Sequence, residues 1–280
     1  MRTRFSYDVR FEWGPAGAAA LAPSSSCLVV VDVLSFSTSV TVAVEAGTRV
    51  YPCAWRDESA AEFARSHRAE LAVGRRAVSA ARPWSLSPAA LRRAPFVPRL
   101  VLPSPNGSAI CAAAAAGAGP GEAGGEGAVA AGRAGAGVGL GGGGGSGGGS
   151  VTVIAGCLRN AAAVGRFLRG SPGPVTVIAA GERWPDGSLR PALEDLLGAG
   201  AILAALRGPG GLGSLSPEAE AARACFEATA DVAAAVSGCA SGRELTEGGF
   251  GDDVTIAVEI GACLVVPVLT DGAFTAAPGQ

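Results

Sequence analysis

No lysine occurs in the 280 residues, so all 22 basic side chains are arginines. That removes the P-loop lysine and the Schiff-base lysine, and with them whole classes of mechanism. Histidine is almost as scarce. His67 is the only one, and it stands in DESAAEFARSHRAE, which reads as an ordinary polar-faced helix. A histidine-rich zinc site or a histidine-based triad therefore has no material to build on. Long apolar runs are missing: none reaches the roughly 20 residues that a membrane span needs. The charged opening MRTRFSYDVRFEWG lacks the apolar segment of a secretory signal. No membrane partner is expected, and the cytoplasm is the natural location. Blocks of one charge are missing as well, since 22 basic and 24 acidic residues are scattered to a net −2. A nucleic-acid groove is not expected from such a pattern. The seven cysteines show no CxxC pair and sit mostly beside apolar or small residues, as buried reduced thiols do.

What is present is apolar. Hydrophobic residues make up 49% of the chain, ample for a buried core. CLVVVDVL (27–34) has the β-branched density of a strand covered on both faces. SFSTSVTVAVEAG behind it opens with hydroxyls suited to capping a helix and ends in glycine. RVYPCAW, a helix from Asp57 to about His67, and ELAVG continue the alternation. It resumes with VTVIAG (151–156), a helix from about Asn160 to Leu168, VTVIAA (175–180) and a helix over Pro191–Leu206. A long helix from Ser216-Pro217 to about Val236 follows, then CLVVPVL as a last strand before the Asp271-Gly272 turn. Alternating strands and helices give an α/β class, a three-layer α/β/α arrangement whose strand order is not legible from sequence. We divide the chain into an N-terminal α/β part (1–116), a glycine-rich flexible insertion (117–150) and a C-terminal α/β part (151–280). The insertion holds 18 glycines in 34 residues, too little apolar surface to offset ordering. Its GPGEAG lacks the preceding strand that a dinucleotide fingerprint requires.

Ligands of open α/β sheets bind beyond the carboxyl ends of strands, and five polar segments stand there. Asp32 ends a buried strand and precedes Ser35, Ser37, Thr38 and Ser39 at a helix start. The carboxylate suits a hard cation, and the helix N-terminus suits phosphate; a structural aspartate with a cap is the alternative. Asn106, Gly107 and Ser108 form a tight turn whose N–H groups can cradle an anion. Arg159 and Asn160 stand at a strand-to-helix junction and can hold an anionic substrate, or Asn160 can be a plain cap. Glu182, Arg183, Asp186 and Arg190 form a polar loop before Glu194 and Asp195, two adjacent acids of which only one is expected to face a metal, the other being solvated. Asp252 and Asp253 read as helix caps.

In this order, VVVDVLSFSTSVTVAVEAG, LPSPNGSAI, AGCLRNAAAV, ALEDLLGAGAI and GFGDDVTIAVEIGACLVVPVLTDGAF resemble the 2-phosphosulfolactate phosphatase family, associated with coenzyme M biosynthesis. The resemblance implies a cytosolic α/β fold and a bound Mg2+. It also implies hydrolysis of a phosphate monoester on a small, doubly acidic substrate, most directly 2-phosphosulfolactate to sulfolactate and phosphate. Carried over by position, Asp32 is catalytic and, with Glu194 and Asp195, metal-binding. Ser37, Thr38, Asn106, Gly107, Ser108 and Asn160 bind phosphate or substrate, as Arg159 does on the residue reading. The chain departs from the pattern at Ser35, where the family shows arginine, at Gly74-Arg75-Arg76, where it shows GER, and at Leu86, where it shows asparagine. Arg75 or Arg76 is expected to supply positive charge from a new position. The alternatives are a phosphatase for another phosphorylated hydroxy acid and a non-catalytic homologue that binds a small anion. Homo-oligomerisation is left open.

Overall fold

All five residues of the strand Cys27–Val31 are buried, as a strand covered on both faces must be. The structure is a computed structural model that describes residues 7–54, 58–117, 151–207 and 213–278. In chain order these form β1 (Val9–Trp13), α1 (Gly14–Leu21), β2 (Cys27–Val31), α2 (Phe36–Glu45), β3 (Arg49–Cys53), α3 (Glu58–His67), β4 (Glu70–Leu71), α4 (Pro88–Arg93), β5 (Arg99–Pro103) and α5 (Gly107–Gly117). The second half supplies β6 (Thr152–Gly156), α6 (Ala161–Leu168), β7 (Val175–Ala179), β8 (Glu182–Arg183), β9 (Leu189–Arg190), α7 (Leu193–Leu206), α8 (Pro217–Ala228), α9 (Val232–Gly238), α10 (Ala240–Glu247), α11 (Gly251–Ala257), β10 (Pro267–Thr270) and β11 (Ala273–Ala276). The fold is α/β. The glycine-rich insertion with its GPGEAG lies, past Gly117, outside the described residues, as does Asp57.

Nine strands form one mixed sheet in the order β1-β7-β2-β6-β10-β11-β3-β5-β4. β1, β7, β2 and β6 run parallel, β3, β5 and β4 form a second parallel block, and the antiparallel hairpin β10–β11 joins the two. Strands from both halves of the chain thus interleave. The pleat sends alternate residues of β2 to opposite faces. Leu28 and Val30 meet α1, α2 and α5 through Ala18, Val40, Ala43, Ile110 and Ala114. Val29 and Val31 meet α6, α7 and α8 through Val164, Leu168, Leu197, Ile202 and Ala222. At the far end, α3 covers Tyr51 and Val101 with Ala60 and Ala64.

Pairing alone would put the carboxyl ends of β2 and β5 at opposite edges, because the hairpin reverses one block against the other. The residues that follow them nevertheless meet: the amide of Gly107, after β5, donates to Asp32, just after β2.

Several expectations need correction. CLVVPVL is not a last strand: the strand starts at Pro267, and a further strand, β11, follows the Asp271-Gly272 turn. Val265 instead gives its carbonyl to the Asn160 side chain. The helix from Ser216 stops at Ala228, where the Thr229 hydroxyl donates back to the Cys225 carbonyl, and Asp231 caps a new helix through the amide of Ala234. α7 starts at Leu193, not Pro191. The hydroxyls before α2 do not cap it. Its N-terminal residue Ser35 makes no such bond, and Asp32 takes the Phe36 amide instead. His67 packs against Tyr51 and Phe63 at the end of α3, and its Nδ1 lies 2.9 Å from the Phe63 carbonyl. None of the seven cysteines forms a disulfide.

Candidate active site

Asp32 is a carboxylate at the end of an apolar strand, and burying it demands partners. It has two. Oδ1 accepts from the Phe36 amide at 2.8 Å and Oδ2 from the Gly107 amide at 3.1 Å. The first turns of α2 and α5 thereby converge on one carboxylate. Gly107 cannot be larger, since a Cβ there would lie 2.2 Å from the Phe36 ring.

Asp195 does for neighbouring strands what Asp32 does for helices. Its Oδ1 accepts from the Val33 amide at 2.7 Å and its Oδ2 from the Gly181 amide at 2.8 Å, which clamps the ends of β2 and β7 together. Glu194 beside it is also buried, with 2% exposure against 3% for Asp195, so neither acid is solvated as expected. Among the described residues Glu194 accepts only from the Cys239 thiol, at 3.2 Å from Sγ. Glu182 completes the group, accepting from Asn106 Nδ2 at 3.0 Å.

Four carboxylates of one sign are thus gathered at the strand ends, and their protonation reflects it. Burial pushes Asp32 up to about 6 despite its two amide donors, with the charge of Glu194 adding and that of Arg75 opposing. Burial, and then the charge of Asp32, pushes Glu182 up to about 7. Asp195 is raised well above the usual range by burial, then by Glu194 and Asp32. Burial and Glu194 raise the Cys239 thiol to about 11, so it stays a donor. Such a set holds protons at neutral pH or gains a cation.

The other expected binding residues are turned elsewhere. Ser37 Oγ donates to the Val30 carbonyl and Thr38 Oγ1 to the Val33 carbonyl, both fully buried. Ser108 Oγ points to the Leu102 carbonyl at 3.4 Å. Asn160 spends its side chain on the Cys157 amide and on the Ala155 and Val265 carbonyls. Arg159 is paired with Glu45 and Glu259 and reaches Thr41, further along α2 than the Asp32 end. All of these serve the frame of the site.

One cation beside the carboxylates is Arg75, as Arg190 is another. Arg75 stands on a short 3-10 turn, Arg75–Ala77. Its Nε donates to Asp253 Oδ2 at 2.9 Å, its Nη2 donates to Ser35 Oγ, and its guanidinium lies 5.8 Å from the Phe250 ring centre. Asp253 is no surface cap. It is 1% exposed, and its Oδ1 also accepts from Ser87 Oγ at 2.5 Å and the Ala89 amide at 3.1 Å. Asp252 is the exposed one of the pair. Arg75, Arg76, Glu182, Leu34, Ser241 and Phe250 line a cleft of about 440 Å³, to which the carboxylate group contributes Glu182. Cys239 is a functional candidate that sequence did not single out, while Glu182 was read only as part of a polar loop and Asp253 only as a helix cap. Asp253 shares a helical stripe with Ile256 and Ala257, spacing that could have marked it as buried.

Carboxylate oxygens are the donors that a hard cation takes, and each aspartate oxygen here keeps a lone pair beyond its amide bond. Among the described residues, no three His, Cys, Asp or Glu side chains gather tightly enough to enclose a metal ion. Mg2+ does not require that. It is commonly held by one or two carboxylates, with water and substrate phosphate filling its shell, so the donor set fits that ion.

Residues 148–272 match the family model described as 2-phosphosulpholactate phosphatase, a family of phosphatase enzymes. The stretch includes β6, β7, Glu182, Glu194, Asp195, Cys239 and Asp253, so the resemblance drawn from the sequence is borne out across the C-terminal half of the site. No curated protein was found to match the chain.

Proposed function

We propose that the chain is a Mg2+-dependent phosphatase that hydrolyses a small phosphorylated acid, with 2-phosphosulfolactate as the first substrate to test. The observation that carries this is the gathering of Asp32, Glu182, Glu194 and Asp195, with Glu182 and Arg75 lining one cleft and with Glu182, Glu194 and Asp195 inside the segment, residues 148–272, that is similar to that phosphatase family. Asp32 and Glu194 would hold the ion. When bound, Mg2+ would neutralise charge on the phosphoryl oxygens.

The protein's own groups have distinct tasks. Asp195 fixes the β2 and β7 ends so that Asp32 and Glu182 keep their spacing. Asn106 aims Glu182 into the cleft. With its pKa raised to about 7, Glu182 is half protonated near neutrality, the condition in which proton transfer is most effective. As water adds to phosphorus and the P–O ester bond breaks, the Glu182 carboxyl gives its proton to the leaving oxygen; the water's protons go with the phosphate product, and Glu182 is reprotonated from solvent after release.

A second reading has one observation behind it: Ser37, Thr38, Arg159 and Asn160, the expected phosphate ligands, are all spent on internal bonds. A non-catalytic protein that binds a small anion in the same cleft would need none of them. Calorimetric titration with Mg2+, together with phosphate release from a panel of phosphorylated hydroxy acids, separates the two. Mg2+ binding that is lost in Glu194→Gln, with Mg2+-dependent release, supports the phosphatase. Anion binding without either supports the binder.

A further inference from the structure

Arg75 is held as a substrate-reading arginine is held. Asp253 grips Nε, Ser35 accepts from Nη2, and the Phe250 ring lies against one face. The anchor is itself fixed, since Asp253 also takes the Ser87 hydroxyl and the Ala89 amide. A guanidinium has five N–H donors. One on Nε and one on Nη2 are used here, and Nη1 makes no hydrogen bond among the described residues, so the Nη1/Nη2 edge keeps donors for a planar or tripodal oxyanion. The side chain retains 19% of its surface and lines the cleft. Ser35, which Arg75 reaches, lies three residues beyond Asp32 in sequence, and Arg75 shares the cleft with Glu182, so this edge faces the carboxylate group.

The charges around the cleft leave Arg75 available. Glu244, which also lines the cleft, is engaged by Arg190 at 2.9 and 3.0 Å. Glu182 is bound to Asn106. The neighbouring Arg76 adds a second positive charge on the Arg75 side.

We propose that Arg75 binds the second acid group of the substrate, a carboxylate or sulfonate, while the phosphoryl group lies over Asp32 and Glu194. Arg75 is then the specificity residue that separates phosphorylated acids from phosphate esters of neutral alcohols. The assignment rests on the phosphatase function proposed above for placing the phosphoryl group, but its test has its own readout.

The test is calorimetric binding of sulfolactate, with inorganic phosphate in parallel, to the wild type, Arg75→Gln and Arg75→Lys in the presence of Mg2+. We expect sulfolactate affinity to fall at least about tenfold in Arg75→Gln, a lost charged hydrogen bond, and severalfold in Arg75→Lys, with phosphate affinity unchanged in both. Arg75→Lys keeps the charge, and so reads the loss of the fork even if Arg75→Gln unfolds. No sulfolactate binding by the wild type, equal sulfolactate affinity across the three proteins, or equal loss of both ligands in the variants would overturn the assignment. Arg75-dependent sulfolactate binding without phosphate release from 2-phosphosulfolactate would sink the hydrolytic function while leaving Arg75 in this role.

Discussion

The Gly107 amide donates to Asp32 Oδ2 at 3.1 Å, across 75 residues of sequence and five steps of the sheet. That bond joins the first helix turn after β5 to the carboxylate at the end of β2, and it exists because residue 107 has no side chain.

Gly107→Ala should therefore damage both fold and site. A methyl 2.2 Å from the Phe36 ring must displace the ring or the α5 start, an overpacking cost of about 2 kcal/mol or more. Urea unfolding should show that loss together with reduced phosphatase activity. Wild-type stability in Gly107→Ala would contradict the packing described.

How much of this was legible in sequence varies by residue. A lone carboxylate in VVVDV is conspicuous in an apolar run, and Glu194 and Asp195 stand out at the start of an apolar helix, so these acids were found. The strand blocks were found for the same reason, since β2, β6 and β7 are dense in β-branched residues. The directions of Ser37, Thr38, Arg159 and Asn160 were not legible, because a hydroxyl or guanidinium follows whichever carbonyl or acid tertiary packing brings near. Arg75 and Asp253, 178 residues apart, meet only through strand order, which local sequence does not encode. Of the hairpin β10–β11, the first strand and its Asp271-Gly272 turn were legible and β11 was not; the start of β10 was set too early because Val265 and Val266 extend the apolar run past the point where the Asn160 side chain holds the chain out of the sheet.

Stability should fall as pH rises when no divalent cation is present. Asp32 and Glu182 are raised to about 6 and about 7 in the folded protein, so the folded state binds protons more tightly than the unfolded state. Their contribution is complete below about pH 4 and is lost as pH climbs through the folded values. Thermal unfolding in chelator should give a lower Tm at pH 8 than at pH 5, and Mg2+ should narrow the gap. A Tm that rises from pH 5 to pH 8 in chelator would contradict this.

Glu182→Gln should reshape the pH profile of turnover. The amide can keep a hydrogen bond to Asn106 by rotating, but it cannot exchange a proton. We expect kcat to drop about 10²–10⁴-fold and the limb near pH 7 to vanish, with KM changed little. A Glu182→Gln enzyme that keeps both its rate and that limb would assign proton transfer elsewhere.

The most direct measurement is the initial rate of phosphate release from 2-phosphosulfolactate, with Mg2+ and with chelator, for the wild type and for Asp32→Asn matched in circular dichroism. The proposed function predicts release that requires Mg2+ and falls at least about a hundredfold in Asp32→Asn. Full activity in Asp32→Asn, or equal release in chelator, would contradict it.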